Sequence, residues 1–389
     1  LMFYIASTLV FSIGSNIVIT RTINIVLLGS FLVYFLANHS MKLHIHKFLW
    51  FYVFFTIFSL FSALWSIDIT SSVNQSFIGI VIAVNLIAIY NICRHFKIEI
   101  FILYGMLLGA VYNYVIAFDL ISYSSQYTVH FVHRFVGTFN NPNILAIYMI
   151  LCVFSSIVLL QNIKSRVWRS LLIINIPIAL YVIILTASKK GFIFSALLLV
   201  IYLLSSLRSK RSFVLVITIL VGGILLFNSG ILSQIKGVEE LTYRLTLAVN
   251  TIRLAFDGYQ TDGSTAERIY LIQAAYDILS KNFGAIIFGT GAGTFFLQND
   301  LGLYAHNNYM EIIANLGLIG LSLFYSIYYF MINDIRLIKG SIKYAFLSII
   351  LVLLLMDITY VSYSFKPIFF IFIFIVLYSE NMRYRRRSV

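Results

Sequence analysis

Apolar runs of about 20 residues, the length that crosses a bilayer core, recur along almost the whole sequence, and charge hardly interrupts them. No other feature constrains the fold as tightly. In hydrocarbon every backbone polar group must be satisfied within the segment, so such runs become helices. Composition agrees: 61% of the 389 residues are hydrophobic and only 11% are charged. Soluble domains carry about 25% charged residues, so a soluble enzyme, a disordered chain and a fibrous protein are excluded. The first run is followed by many others and lacks a small-residue cleavage pattern, so it reads as a retained helix. Cys93 and Cys152 lie in or beside apolar runs, without the spacing of a metal or disulfide framework.

Scanning for these runs predicts twelve transmembrane helices, at 3–20, 23–38, 48–65, 75–92, 99–118, 142–161, 170–187, 191–207, 212–230, 308–332, 344–361 and 367–380. The expected fold is an all-α polytopic membrane protein. Residues 1–230 hold helices one to nine, 231–305 form a large, partly helical external loop, and 306–389 hold the last three helices and a basic tail. No fixed-period repeat is visible, nor the paired interrupted helices of an inverted-repeat transporter.

The net charge of +13 reads as topology. Cytoplasmic loops retain Lys and Arg. Of the 27 such residues, 17 fall on the side of the two termini and 10 on the other. Both termini are therefore expected in the cytoplasm, with 231–305 outside. The Arg383 to Arg387 cluster reads as an anchor at anionic headgroups, and nucleic acid is not an expected partner.

The expected outer side gathers the unusual residues. Ser264-Thr265-Ala266-Glu267 is a capping-box pattern ahead of Arg268, and Ile269 to Ser280 suits a helix on the membrane surface. A second helix is expected over Leu241 to Phe256, punctuated by Arg244 and Arg253. Gly289-Thr290-Gly291-Ala292-Gly293 reads as a plain turn before a phosphate cradle, since it lacks the P-loop Lys. In Ala305-His306-Asn307-Asn308-Tyr309-Met310-Glu311 a polar stripe runs into the tenth span. Asn308, Glu311 and Asn315 share a helical face, and Gly317 and Gly320 are expected to continue the helix with a close neighbour. Glu311 and Asp357 are intramembrane acids, each costing a few kcal/mol. They serve either a hydrogen-bonded bundle interior or a site.

Cations also stand on this side. Arg134 lies in the turn-rich stretch His133-Arg134-Phe135-Val136-Gly137-Thr138-Phe139-Asn140-Asn141-Pro142-Asn143. Lys189 and Lys190 sit in a short connection between two spans, against the positive-inside tendency. Either they snorkel or they meet an anionic ligand. With no nucleotide supply outside, chemistry there draws on an already activated substrate, such as a lipid-linked diphosphate sugar. Arg binds phosphate oxygens in pairs and neutralises the leaving group, and a His takes the proton of an attacking hydroxyl.

These motifs and their order resemble the O-antigen polymerase and ligase superfamily. They are Arg134 with Gly137-Thr138-Phe139-Asn140-Asn141-Pro142-Asn143, Arg268, Gly289-Thr290-Gly291, and His306-Asn307-Asn308-Tyr309 before Gly317-Leu318-Ile319-Gly320. The resemblance implies metal-independent, inverting glycosyl transfer at the outer face of the cytoplasmic membrane, without a cofactor. His306 would be the base and Arg268 would hold the diphosphate. Arg134, Lys189, Lys190 and Arg244 would assist, with Asn307, Asn308 and Glu311 as a supporting stripe. Where the family often has Ser-Arg, this chain has Ser188-Lys189-Lys190, and either Lys takes the equivalent place. The implied partners are an undecaprenyl-diphosphate-linked glycan donor, a glycan acceptor, the bilayer and a chain-length regulator protein. A polymerase joining repeat units into O-antigen or capsular polysaccharide is favoured over a ligase acting on lipid A-core. A twelve-helix transporter is the reading from another class.

Overall fold

The computed structural model describes residues 1–10, 17–38, 42–121, 126–129, 132–206, 234, 236–256, 264–281 and 283–387. The chain is an all-α polytopic membrane protein. Its helices are α1 (Met2–Val10), α2 (Ile17–Ala37), α3 (Lys47–Phe61), α4 (Ile69–Phe96), α5 (Ile100–Ala117), α6 (Pro142–Asn162), α7 (Arg166–Leu185), α8 (Lys189–Ser206), α9 (Val238–Phe256), α10 (Ser264–Ser280), α11 (Phe283–Phe288), α12 (Asn308–Arg336), α13 (Ser341–Met356) and α14 (Lys366–Arg387). An antiparallel hairpin, β1 (Gln126–Val129) and β2 (Val132–Phe135), lies between α5 and α6, with Arg134 opposite Tyr127. The sequence pattern indicated only turns near there.

Among the described residues, six helical stretches are long and apolar enough to cross a membrane: Lys47–Leu64, Ile69–Phe96, Ile100–Ala117, Pro142–Asn162, Arg166–Leu185 and Asn308–Arg336. Thr22–Ala37 and Ser341–Met356 are shorter apolar helices. The spans expected at 191–207 and 367–380 fall on α8 and α14. The span expected at 212–230 lies outside the described residues, as do 11–16 of the first one. A break expected at Arg21 falls inside α2. Two polar residues without Gly or Pro do not stop a helix flanked by apolar ones.

The chain packs as two compact units, each made of discontinuous segments. This packing division is distinct from the linear blocks 1–230, 231–305 and 306–389, which concern membrane sides. The first unit comprises Leu1–Ser30, Ile98–Val249 and Ile338–Val352. Its centre is α6, buried along nearly its whole length, as a helix apolar all round must be. Asn141 caps α6 by accepting the Asn143 N–H, and Pro142 occupies the first turn, where its missing N–H costs nothing. Small residues permit close crossings: a Cβ on Gly105 would press on Ile5 of α1, and one on Gly191 of α8 would press on Ala146 of α6.

The second unit comprises Phe31–Lys97, Asn250–Leu337 and Leu353–Val389. Here α3, α4, α12 and α14 pack together. Asp68 caps α4 by accepting the Thr70 and Ser71 N–H groups. In α14 every residue from Ile368 to Leu377 is buried. The loop helix α10 forms as expected, with part of its apolar surface turned into protein and Ile269, Ile272 and Tyr276 exposed. Leu271, Ala275 and Ile278 pack with Phe295, Ala305 and Ala314 in one buried cluster.

One expectation is overturned. Gly317 does not continue α12; its φ of 62° and ψ of −165° break the helix there. The cause is the loop that follows α11. Backbone carbonyls of Ala314 and Asn315, released by the break, accept the N–H groups of Thr290 (3.1 Å) and Gly291 (2.9 Å). A Cβ on Gly317 would overlap the Ile287 carbonyl, so only glycine allows this approach.

Candidate functional site

In the first unit, four of the anticipated cations converge on the turn between α7 and α8. Thr186 closes α7, its hydroxyl donating to the Ile183 carbonyl at 2.6 Å. Ala187 takes a left-handed conformation, φ 46°. The Ser188 hydroxyl then accepts the Gly191 N–H (3.2 Å) and donates to Asn143 Oδ1 (2.9 Å). This opens α8 with Lys189 and Lys190 in its first turn. Arg134 is buried; its Nε donates to the Thr186 carbonyl (2.9 Å) and its Nη2 to Asn143 Oδ1 (3.1 Å). Arg244 Nη1 donates to the Ala187 carbonyl (2.8 Å). Two guanidinium groups thus hold the turn that presents two ammonium groups at a helix N-terminus, where the macrodipole also favours an anion. This anchoring use of Arg134 and Arg244 was not legible in the sequence. Nearby, Asn113 Oδ1 accepts the Thr138 N–H at 2.9 Å, and Gly137 (φ 54°) leaves room for it.

In the second unit, His306 is one of the few non-glycine residues with positive φ, at 52°. Its Nε2 lies 3.6 Å from Glu267 Oε1. The Tyr304 ring lies against the imidazole, centroids 4.0 Å apart. Arg268 adjoins Glu267 on α10. Burial lowers its pKa from the ordinary guanidinium value, while the charges of Glu267 and Tyr304 oppose that shift. The same two side chains therefore flank both His306 and Arg268. A carboxylate beside an imidazole orients the ring, which suits a positioned base.

The polar stripe below His306 is a scaffold. Asn307 caps α12 by accepting the Met310 N–H at 3.1 Å. Asn308 is fully buried; its Oδ1 accepts the Ser362 (3.0 Å) and Tyr363 (3.2 Å) N–H groups, and its Nδ2 donates to the Tyr325 hydroxyl at 3.1 Å. Glu311 Oε2 accepts the N–H of Ala305 at 2.7 Å, and its Oε1 accepts from Asn315 Nδ2 at 2.9 Å. The buried carboxylate fixes the residue before His306. Asp357, expected inside a span, sits just past the end of α13, where its carbonyl accepts the Asn308 N–H and its Oδ2 accepts from the Tyr325 hydroxyl (2.9 Å).

The glycine-rich segment takes the turn reading. Beyond the Thr290 and Gly291 bonds to α12, the Ala292 N–H donates to the Ser62 hydroxyl, and the Thr294 and Phe295 N–H groups donate to Asn315 Oδ1. Donors engaged in this way are not offered to a phosphate. The structure thus brings Arg134, Lys189, Lys190 and Arg244 together in one unit. Arg268, His306, Asn307, Asn308 and Glu311 come together in the other. Sequence reasoning named Glu267 only as a capping partner and did not name Tyr304. Their signal was adjacency: one precedes Arg268, the other stands two residues before His306.

Comparison with known proteins agrees with the resemblance. Residues 174–325 match the model of the O-antigen ligase family. That segment contains the α7–α8 turn, Arg244, Arg268 and His306. The teichuronic acid biosynthesis protein TuaE of Bacillus subtilis (strain 168) is 27% identical over 75% of this chain. The chain spans 61% of that relative's length. Both findings support the O-antigen polymerase and ligase superfamily.

Proposed function

We propose that the protein is a glycosyltransferase of the outer face of the cytoplasmic membrane, with both termini inside, and that it polymerises undecaprenyl-diphosphate-linked repeat units into a surface polysaccharide. The observation that carries this reading is His306. It is held on a left-handed turn, 3.6 Å from Glu267, the residue before Arg268, and against the Tyr304 ring, inside the segment that matches the O-antigen ligase family.

In the proposed reaction His306 Nε2 takes the proton of an acceptor sugar hydroxyl. The hydroxyl oxygen bonds to the anomeric carbon of the donor from the face opposite the diphosphate. The bond from that carbon to the diphosphate oxygen breaks, and its electron pair leaves with undecaprenyl diphosphate. A single displacement inverts the anomeric configuration and calls for neither metal nor cofactor. Arg268 neutralises the charge developing on the leaving group, an electrostatic task for which a guanidinium is suited. Arg134, Lys189, Lys190 and Arg244, within the first unit, are a further group of cations of the kind that binds a diphosphate. General base catalysis of this kind contributes about 10²–10⁴-fold, so His306→Ala and Arg268→Ala should abolish polymer while membrane levels persist. Activity retained in His306→Ala would remove it as the base.

A second reading is ligation of a finished chain to lipid A-core, favoured by the description of the matching family. The relative in teichuronic acid biosynthesis favours polymer formation instead. Glycan analysis of a deletion strain separates them. Single capped repeat units indicate a polymerase, and long carrier-linked chains absent from lipid A indicate a ligase. Normal glycan with altered solute uptake would support a transporter. An inverted-repeat transporter calls for paired broken helices; the break at Gly317 is met by backbone of Ile287 and Phe288 and by the loop that follows them. A chain-length regulator is the protein partner this reading expects.

A further inference from the structure

A polar cavity in the second unit takes no part in the chemistry above. It has a volume of about 290 Å³, near the lower end of ligand pockets. It lies where α3 begins and where α4, α12 and α14 end. Asp334 on its wall is near the far end of α12, the element that His306 precedes; the stretch from the break at Gly317 to Asp334 alone rises roughly 25 Å at 1.5 Å per residue. The two sites are therefore at opposite ends of that element. Lys47, Arg94 and Arg383 of this cavity belong to the inner set of cations in the sequence count.

The lining is ionic and uneven. Arg94 pairs with Glu380 at 3.2 Å, and Tyr90 donates to the same carboxylate at 2.9 Å. His46 Nε2 lies 3.2 Å from Asp334 Oδ2, and Arg383 pairs with the other oxygen of Asp334. Lys47 adds a further cation, its ammonium over the Phe330 ring. Three fixed cations face two carboxylates, before either histidine is counted. One donor is left over inside: Arg383 Nε is buried and has no hydrogen-bond partner among the described residues. His44 at the rim feels this field. Its pKa is lowered by desolvation first and then by Arg94, with Lys42 adding and Glu380 opposing.

We propose that this cavity binds a phosphate group, held by Arg94, Arg383 and Lys47 from three different helices. A tetrahedral anion offers several acceptor oxygens to cations that approach from different sides, and guanidinium groups bind phosphate oxygens in pairs. A leftover buried donor amid excess positive charge is what such an anion satisfies. The phosphate belongs to a lipid headgroup or is free in solution. The site is independent of the glycosyl-transfer reading, because none of its residues acts at His306.

The test uses the purified full-length protein in detergent. Thermal unfolding is followed in potassium phosphate against potassium chloride at equal ionic strength. Native mass spectrometry is run in parallel with phosphatidic acid, phosphatidylglycerol and phosphatidylcholine. Saturable binding of one equivalent is expected from at least one anionic probe. Response to inorganic phosphate assigns a soluble ligand; retention of an anionic lipid alone assigns a headgroup. Arg94→Gln and Arg383→Gln should weaken binding at least tenfold. Lys47→Gln, which removes a cation without breaking an ion pair seen here, should weaken it severalfold while folding normally, and His306→Ala should bind as wild type does. The proposal is overturned if no probe saturates, if Lys47→Gln binds as tightly as wild type, or if His306→Ala loses binding equally.

Discussion

At the scale of single residues, two positions carry more than their chemistry announced. Gly317 reads in sequence as a small residue for close helix packing, yet it is the point at which α12 breaks. Gly317→Ala forces a Cβ into the Ile287 carbonyl and a non-glycine residue into positive φ. Strain of that kind costs about 1–3 kcal/mol, so the variant should unfold several degrees below wild type in a thermal melt; an unchanged melt would deny the break. Glu311 looked able to serve either a site or the bundle interior. In the structure it holds the Ala305 N–H and the Asn315 amide. Glu311→Ala orphans both donors, at about 1–3 kcal/mol each, and releases the residue before His306. Loss of polymer together with loss of stability is expected. Loss of polymer at full stability would instead point to a direct role in the reaction.

At the scale of elements, caps and turns set where the reactive groups stand. Asp68 opens α4, and the Ser71 hydroxyl is the largest cause holding its carboxyl below the ordinary range. Desolvation opposes this, and the Ser71 and Thr70 N–H groups add to it. A lowered folded-state value means the ionised cap stabilises the protein. That contribution is complete above the unfolded value of about 4 and is lost as pH falls through the lowered one. Acid unfolding of wild type and Asp68→Asn should therefore differ above that window and converge below it. The turn between α7 and α8 depends in the same way on Arg134. Arg134→Ala removes two hydrogen bonds from a buried side chain, worth about 1–3 kcal/mol together. It should lower both the melting temperature and polymer yield, whereas Lys190→Ala should lower yield alone. The helices themselves were legible because a run of apolar residues has one solution in a bilayer. The hairpin at Arg134 and the break at Gly317 were not. Each depends on a partner distant in sequence: Thr186 for Arg134, and Thr290 with Gly291 for the carbonyls released at Gly317.

At the scale of the whole molecule, charge does two jobs. On the proposed orientation most of the net +13 is a topology signal, while a minority of cations stands against that bias. In the sequence those outer cations formed one list. In the structure Arg134, Lys189, Lys190 and Arg244 gather at one turn, and Arg268 stands beside the Glu267 that meets His306. The residues were named from motif order, but their division into two groups was not readable from it. Glu267 as the partner of His306 was not either, because the two meet across the segment 268–305, which sequence spacing cannot fold. On the proposed function, this chain joins lipid-linked repeat units with His306 as base. The most direct measurement incubates the purified full-length protein, without added metal, with the undecaprenyl-diphosphate-linked repeat unit of its own host and resolves the products by size. Wild type should yield a ladder with one repeat unit per step, released carrier diphosphate in equal number to the new linkages, and an inverted linkage, while His306→Ala should yield none. An undiminished ladder from His306→Ala, or carrier-linked substrate left unchanged by the wild-type protein, would contradict the account.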